Sequence, residues 1–209
     1  MASPPLHDDS QFHHIRSGVT AIIERHGKVI IGKRKASHGI GTMHMPGGHQ
    51  DMWEAPEACA ERETFEETGL IVKAIAHGPT TDDQFLKERK HYKSLHIWCK
   101  MVDETAEPEA MEKDKCDAWA WKSAEELEEY YDQGKAFEPL RNLVRKVPQN
   151  DVLEELRKRA NAHKEAVELA EKAKLAEQAK VDKQTKVDEQ TKVDEQATDV
   201  EVDHTHQSV

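Results

Sequence analysis

Hydrophobic and polar positions along the first half of the chain follow a strand-like period of two, broken once by a helical stretch. Arg16 to Ile23 (RSGVTAII) reads as a strand, Glu24 to Gly27 as a turn and Lys28 to Ile31 as a second apolar strand, so a hairpin is expected. Leu70 to Ala76 (LIVKAIA) reads as a strand and Pro79 to Lys90 as a charged loop. His91 to Val102 (HYKSLHIWCKMV) alternates again, with Leu95, Ile97 and Cys99 on one face and Tyr92, His96 and Trp98 on the other. After an acidic connection over Asp103 to Asp117, Cys116 to Lys122 (CDAWAWK) makes a short strand whose Trp119 and Trp121 share a face, as core residues do. The helical stretch starts at Pro56, whose missing N–H suits a first helical position, and stops at Gly69, which suits the left-handed turn past a helix end. Ser123 with Glu126 three residues on is a capping box for a later helix, and Phe137 to Leu140 opens a last compact element before Pro148. Strand hairpin, loop, helix, strands and helix describe an α/β (α+β) fold, a mixed sheet with helices packed on it.

Past Pro148 the pattern thins. Asp151 to Ala179 is rich in Ala, Glu, Lys and Leu and reads as a helix, but its apolar stripe (Leu153, Leu156, Ala160, Val167, Ala170) is too sparse for a coiled coil. From Lys180 the chain repeats as KVDKQT, KVDEQT and KVDEQA, with one apolar residue per unit, a composition that favours disorder. The expected organisation is therefore a disordered N-terminus over 1–12, one domain over 13–148, a charged helix over 149–179 and a low-complexity tail over 180–209.

Charge removes several functions. The net charge is −11, with fifteen acids and ten bases in residues 150–209, so both the tail and the rest are acidic. That argues against nucleic-acid polymers and anionic membranes as partners. Cys59, Cys99 and Cys116 are widely spaced and read as free thiols of a reducing compartment. MASPPLHDDSQ lacks the apolar run of a signal peptide, and no segment approaches about 20 consecutive apolar residues. The expectation is a cytoplasmic protein, with the nucleus left open, whose tail is a candidate site for a protein partner.

Chemistry concentrates on the first helix. Glu63, Glu66 and Glu67 stand at i, i+3 and i+4, which puts three carboxylates on one face. At ~6 Å and an effective dielectric near 20 each pair repels by roughly 3 kcal/mol before screening, a cost that a hard divalent cation turns into a gain. Arg62 can hold Glu66 one turn on. Upstream, the basic run GKRKAS offers Arg34 as a phosphate contact, with Lys33 or Lys35 alternating to the other face, although a solvated strand end is the plainer account. Gly47 and Gly48 suit a close backbone approach to an ion or phosphate. The spacing of His44 and His49 fits no standard zinc site, so they read as loop-lining or substrate-contacting residues. These features support metal-assisted hydrolysis of a phosphoanhydride, against the alternative of a surface helix with solvated acids.

The stretch from Gly48 to Leu70 resembles the signature of the Nudix hydrolases. Gly48, Glu54, Arg62, Glu63, Glu66, Glu67, Gly69 and Leu70 all fall at the spacing of that signature, and Thr64 stands where an apolar residue is usual. Seven fixed identities at roughly one in twenty each make a chance match very rare. The resemblance covers residues 14–147 and implies an α/β/α sandwich around a mixed sheet. It also implies Mg²⁺, with Mn²⁺ as a substitute, held by Glu63 and Glu67, with Glu66 as ligand or general base and the Gly48 carbonyl completing the site. GKRKASHGIGTMHMPGGH, ACAERETFEETGL, His91-Tyr92, the EPE…EKDKC run and WAW are further similar to the MutT-like nucleotide triphosphate diphosphatase branch, which includes thiopurine-nucleotide hydrolases and also carries RET around the Thr64 position. That implies a homodimer acting on purine nucleotides. Arg34, Met45, Gly47, His49, Phe137, Glu138, Pro139 and Leu140 are the expected substrate contacts, and Arg62, Glu63, Glu66 and Glu67 the catalytic set. Glu138-Pro139, Trp53 and Gln50 depart from the branch. The expected reaction is hydrolysis of a (deoxy)nucleoside triphosphate, purine or modified purine, to a monophosphate and pyrophosphate. Cleavage of a diphosphate conjugate such as ADP-ribose or a nucleotide sugar is the alternative within enzymes, and a non-catalytic nucleotide-binding scaffold the alternative outside them.

Overall fold

A computed structural model describes residues 14–36, 38–145 and 151–203. Strands β1 (Arg16–Arg25) and β2 (Lys28–Arg34) form the expected hairpin, and β3 (Met43–His44), β4 (Gly47–His49), β5 (Val72–Phe85), β6 (Lys90–Met101) and β7 (Cys116–Lys122) complete a seven-stranded sheet among the described residues. The main order is β3-β2-β1-β6-β5, with β4 on β1 and β7 on β2. The sheet is mixed: β1 and β6 run parallel from Arg16↔Tyr92 to Ile23↔Cys99, while β1–β4, β2–β7 and β5–β6 are antiparallel.

Alternation along the central strands divides the apolar side chains between two cores. Val19, Ala21, Ile23, Ile30, Ile97 and Cys99 face helix α1 (Pro56–Thr68), which contributes Cys59 and Ala60, and Trp119 and Trp121 close that layer from β7. Ile22, Val29, Ile31 and Met45 lie in the second core with helices α2 (Ala124–Asp132) and α3 (Glu138–Val144) and the start of helix α4 (Val152–Asp203). The result is the expected α/β/α layering. Pro56 and the left-handed Gly69 bound α1, and both bonds of the Ser123–Glu126 capping box form at α2.

Three elements differ from expectation. Residues 79–90 are not a loop: β5 runs on to Phe85 and pairs with β6 as far as Phe85↔Lys90. Gly78-Pro79 breaks the alternation, and the ladder absorbs the break with register shifts between Ala74 and Ala76 and between His77 and Thr80. Because β5 is the last strand of the main order, Pro79 is tolerated there and the polar stretch after it pairs through its backbone. Second, the compact unit continues past residue 148 to Asn161. Val152, Leu153 and Leu156 of α4 are buried in the second core, and Arg157 and Arg159 pair with Glu125 and Glu24. Third, the second unit, from Ala162, is helical through the six-residue repeats to Asp203. Lys, Glu, Gln and Ala are all good helix formers, and propagation from a formed helix needs no new nucleus. The expectations for residues 1–12 and 204–209 lie outside the described residues.

Candidate functional site

The site begins where β4 meets α1. Gly47 has φ of +150°, and a Cβ there would sit 2.2 Å from the Val19 carbonyl oxygen. At Gly48 a Cβ would sit 2.4 Å from the Glu63 carboxylate, so that carboxylate lies directly on the glycine backbone. One turn on, Glu67 Oε2 accepts the Gly47 N–H at 3.1 Å. The antiparallel register Val19↔Gly48 fixes this edge, and the Trp119 indole N–H donates to the Glu67 carbonyl at 3.1 Å from the other side. Two carboxylates of α1 are thereby held against two glycines: a side chain at Gly48 would displace the Glu63 carboxylate, and one at Gly47 would collide with the β1 backbone.

Arg62 organises the acids around that pair. Its Nε and Nη2 donate to the two Glu54 carboxylate oxygens at 2.8 and 3.0 Å, and its Nη1 to Glu63 at 2.8 Å and Glu66 at 3.2 Å. Nη2 also reaches the His49 carbonyl at 3.2 Å. The guanidinium hydrogen bonds hold Glu54 down to about 2, and raise Arg62 in turn. The turn before α1 is closed by Glu54 Oε2 accepting from the Asp51 N–H and by the Gln50 side-chain amide donating through Nε2 to the Glu54 carbonyl. Trp53 occupies the left-handed position of this turn, φ +69°, with its ring in solvent. Glu67 is different: burial pushes it up to about 8, Glu63 and Glu112 add to the rise, and the Gly47 N–H and Arg34 oppose it. Burial raises Glu63 as well. Among the described residues no three His, Cys, Asp or Glu side chains form a metal-ligand group. The donors at hand are the Glu63 and Glu67 carboxylates and the Gly48 backbone, while Glu66 is exposed and drawn to Arg62.

A cavity of about 330 Å³ opens from this corner. Its acidic end carries Glu63, Glu67, Gly47 and Gly48, with Arg34 and Lys115 as the cations. Its other end is aromatic: Phe85 and Phe137 have ring centroids 5.3 Å apart, Tyr92 meets Phe85 edge-on at 5.8 Å, and His38 sits 4.3 Å from Phe85. The Arg34 guanidinium stacks 4.2 Å over Phe137, and its Nε donates to the His38 carbonyl. An inner recess of about 70 Å³ is lined by Met45, His44, Ser94 and Leu140, among others. Of the expected substrate contacts, Arg34, Gly47, His49, Phe137 and Pro139 line the cavity, and Met45 and Leu140 the recess. Glu138 lies outside both linings, beside Arg141 and Asn142. Lys35 pairs with Asp117.

Phe85, Lys115, His38 and Ser94 are cavity residues that sequence reasoning did not select. Reading residues 79–90 as loop hid Phe85, whose signal was the alternation Thr81, Asp83, Phe85. Lys115 lay in a charged connection, and the EKDKC run that contains it pointed to the family without singling out this residue.

The NUDIX domain family model matches residues 13–145. Among solved structures, a MutT NUDIX hydrolase from Burkholderia pseudomallei is 25% identical, with a TM-score of 0.48 over 55% of this chain and 87% of that one. A MutT protein from Methanosarcina mazei Go1 is 17% identical, with a TM-score of 0.52 over 70% of this chain and 95% of that one. A bifunctional NMN adenylyltransferase/ADP ribose pyrophosphatase from Francisella tularensis is 19% identical, with a TM-score of 0.50 over 64% of this chain and 40% of that one. With the domain matched from the first strand through α3, and the signature residues gathered around one acidic corner, the chain belongs to the Nudix family and is a pyrophosphohydrolase of that family.

Proposed function

We propose that this protein hydrolyses a purine (deoxy)nucleoside triphosphate to the monophosphate and pyrophosphate, with Mg²⁺ as its cofactor. The observation that carries the reading is the two-ended cavity: carboxylates against glycine backbone at one end, and an aromatic wall of Phe85, Phe137 and Tyr92 on which a planar base can stack at the other. Mg²⁺ binds through one or two carboxylates plus substrate phosphates and water, so the Glu63–Glu67 pair with the Gly48 backbone fits it without a third side chain. Burial raises both acids, Glu67 to about 8, and a divalent ion beside them would offset that cost of ionisation. Bound there, the ion contributes charge neutralisation at the phosphoryl oxygens.

The chain's own groups do the rest. Arg34 and Lys115 hold phosphate oxygens, and Arg62 fixes the rotamer of Glu63 through the bonds described above. Water adds to a phosphorus of the anhydride and the bridging P–O bond breaks. The leaving phosphate keeps the electron pair, and one carboxylate of α1 takes the proton from water.

A panel of nucleoside triphosphates with Mg²⁺ or Mn²⁺, read as pyrophosphate release, tests this. Purine triphosphates are expected to be turned over, and Glu67→Gln to lower kcat by about 100-fold or more. No release from any triphosphate sinks the reading. The solved neighbours carry both MutT and ADP-ribose pyrophosphatase names on one fold, so cleavage of a diphosphate conjugate is the second reading; chromatography of the products separates the two. Wild-type binding without turnover would instead favour a scaffold. Homodimerisation and recruitment of a partner through the tail belong to the same proposal, and light scattering of the full chain checks the first.

A further inference from the structure

A buried polar chain ties α3 to the sheet beside the aromatic end of the cavity. Thr81, Asp83 and Phe85 alternate along β5, so they share one face. Thr81 and Asp83 are buried there, Asp83 completely, and Phe85 lines the cavity. The Thr81 hydroxyl donates to Asp83 Oδ2 at 3.0 Å, and Asn142 Nδ2 on α3 donates to Asp83 Oδ1 at 2.8 Å. Asn142 Nδ2 also faces the Asp82 carbonyl at 3.3 Å and Glu138 Oε1 at 3.4 Å. Behind Thr81, buried His96 of β6 lies with Nε2 3.1 Å from the hydroxyl oxygen.

The direction of these bonds is fixed by counting protons. A hydroxyl has one hydrogen, which Thr81 gives to Asp83, so His96 Nε2 must be the donor to Thr81. The proton therefore sits on Nε2, in keeping with Nδ1 being buried without a partner. The bonds from His96 through Thr81 and from Asn142 converge on the Asp83 carboxylate, and among the described residues Asn142 is its partner on α3. Phe137 is the cap residue before helix α3, which carries Pro139 and Leu140 into the walls of the cavity and recess. Its apolar residues Leu140, Leu143 and Val144 hold it to the second core, the Phe137 N–H donates to the Met43 carbonyl at 2.9 Å, and the Asp83–Asn142 bond ties the helix to β5, the strand that carries Phe85.

We propose that Asp83, acting through Asn142, is a positioning residue that sets how Phe137 lies against Phe85 in the aromatic wall of the cavity and so tunes which base the cavity accepts. This rests on the nucleotide reading of the cavity given above. It assigns a specificity role to two residues that touch no substrate, and the acidic end, built on β4 and α1, is independent of them.

The test uses the full chain with Asn142→Leu, which removes the donor from a half-buried helix position, and Asn142→His, whose Nδ1 lies on the same branch as Asn Nδ2 and can donate in its place. Dissociation constants for purine and pyrimidine nucleoside monophosphates are measured by isothermal titration without added metal, alongside kcat and KM for the triphosphates. Asn142→Leu is expected to weaken purine monophosphate binding and raise KM by about tenfold, the effect of one lost charge-assisted hydrogen bond, and to narrow the purine-to-pyrimidine ratio. Its kcat at saturation is expected to stay within about twofold, and Asn142→His to recover the ratio. A wild-type ratio in Asn142→Leu overturns the proposal, even if the variant unfolds more easily. So does failure of Asn142→His to recover the ratio while it folds. Absence of nucleotide binding by the wild-type chain overturns the functional reading and this inference together, whereas wild-type binding with an unchanged variant ratio overturns this inference alone.

Discussion

Arg62 shows how much one residue can settle. A single guanidinium engages three carboxylates and a carbonyl, and so decides which acids of α1 remain for other work: Glu66 is drawn outward and Glu63 is held on Gly48. Arg62→Ala is expected to lower kcat/KM by roughly 10- to 100-fold, the usual cost of losing a group that orients site ligands, while purine monophosphate affinity changes little; steady-state kinetics and titration check the two halves. Other residues set the response to pH. Burial holds His44 and His96 down at about 3, so on acidification the unfolded chain takes up their protons near 6.5 and the folded chain does not until about 3. Their contribution is therefore complete above 6.5 and is lost as pH falls through that window. Glu67, raised to about 8, works in the opposite sense: the folded chain binds its proton first, so stability falls as pH rises from the unfolded carboxylate value toward 8. Glu63, which burial raises in the same sense as Glu67, adds to that fall, so the metal-free protein is most stable at or just below pH ~6.5. Urea midpoints from pH 4 to 9 check this, and a midpoint that rises steadily to pH 9 would contradict it. None of these environments was legible locally, because burial is a property of what packs around a side chain.

At the scale of elements, those with strong local signals were read correctly. Pro56 and Gly69 bounded α1, and the Ser123–Glu126 box started α2, because capping is decided within one turn of chain. β5 was cut short because its second half is polar and pairs through backbone bonds to β6, a partner that hydropathy does not reveal. The start of α4 was assigned to a separate helix because Val152, Leu153 and Leu156 look like a thin stripe until the second core supplies their neighbours. Leu156→Ala is accordingly expected to cost about 2–5 kcal/mol, by denaturant unfolding. Ending the chain after Asn161 is expected to leave the unfolding midpoint and kcat unchanged, whereas ending it at residue 148 lowers the midpoint sharply. Equal midpoints for the two truncations would show that α4 adds nothing to the core.

For the molecule as a whole, the cavity draws on β2, β4, α1, the β5–β6 pair, the connection before β7 and the start of α3. Among the described residues no helix is long and apolar enough to cross a membrane. The sequence by itself determined the class of fold, the helix with its three acids and the chemistry those acids imply, because periodicity, capping and spacing along one helix are local and survive without a partner. It also placed Arg34, Gly47, Gly48 and Phe137 near one another in function before they were near in space. Only the tertiary structure decided that two of the three acids face the cavity, that Arg62 also clasps Glu54, that Phe85 and Lys115 complete the walls, and that a buried carboxylate on β5 reaches α3. Each of those depends on contacts between residues far apart in the chain, and on the loss of solvent that comes only when the sheet and its helices close over them.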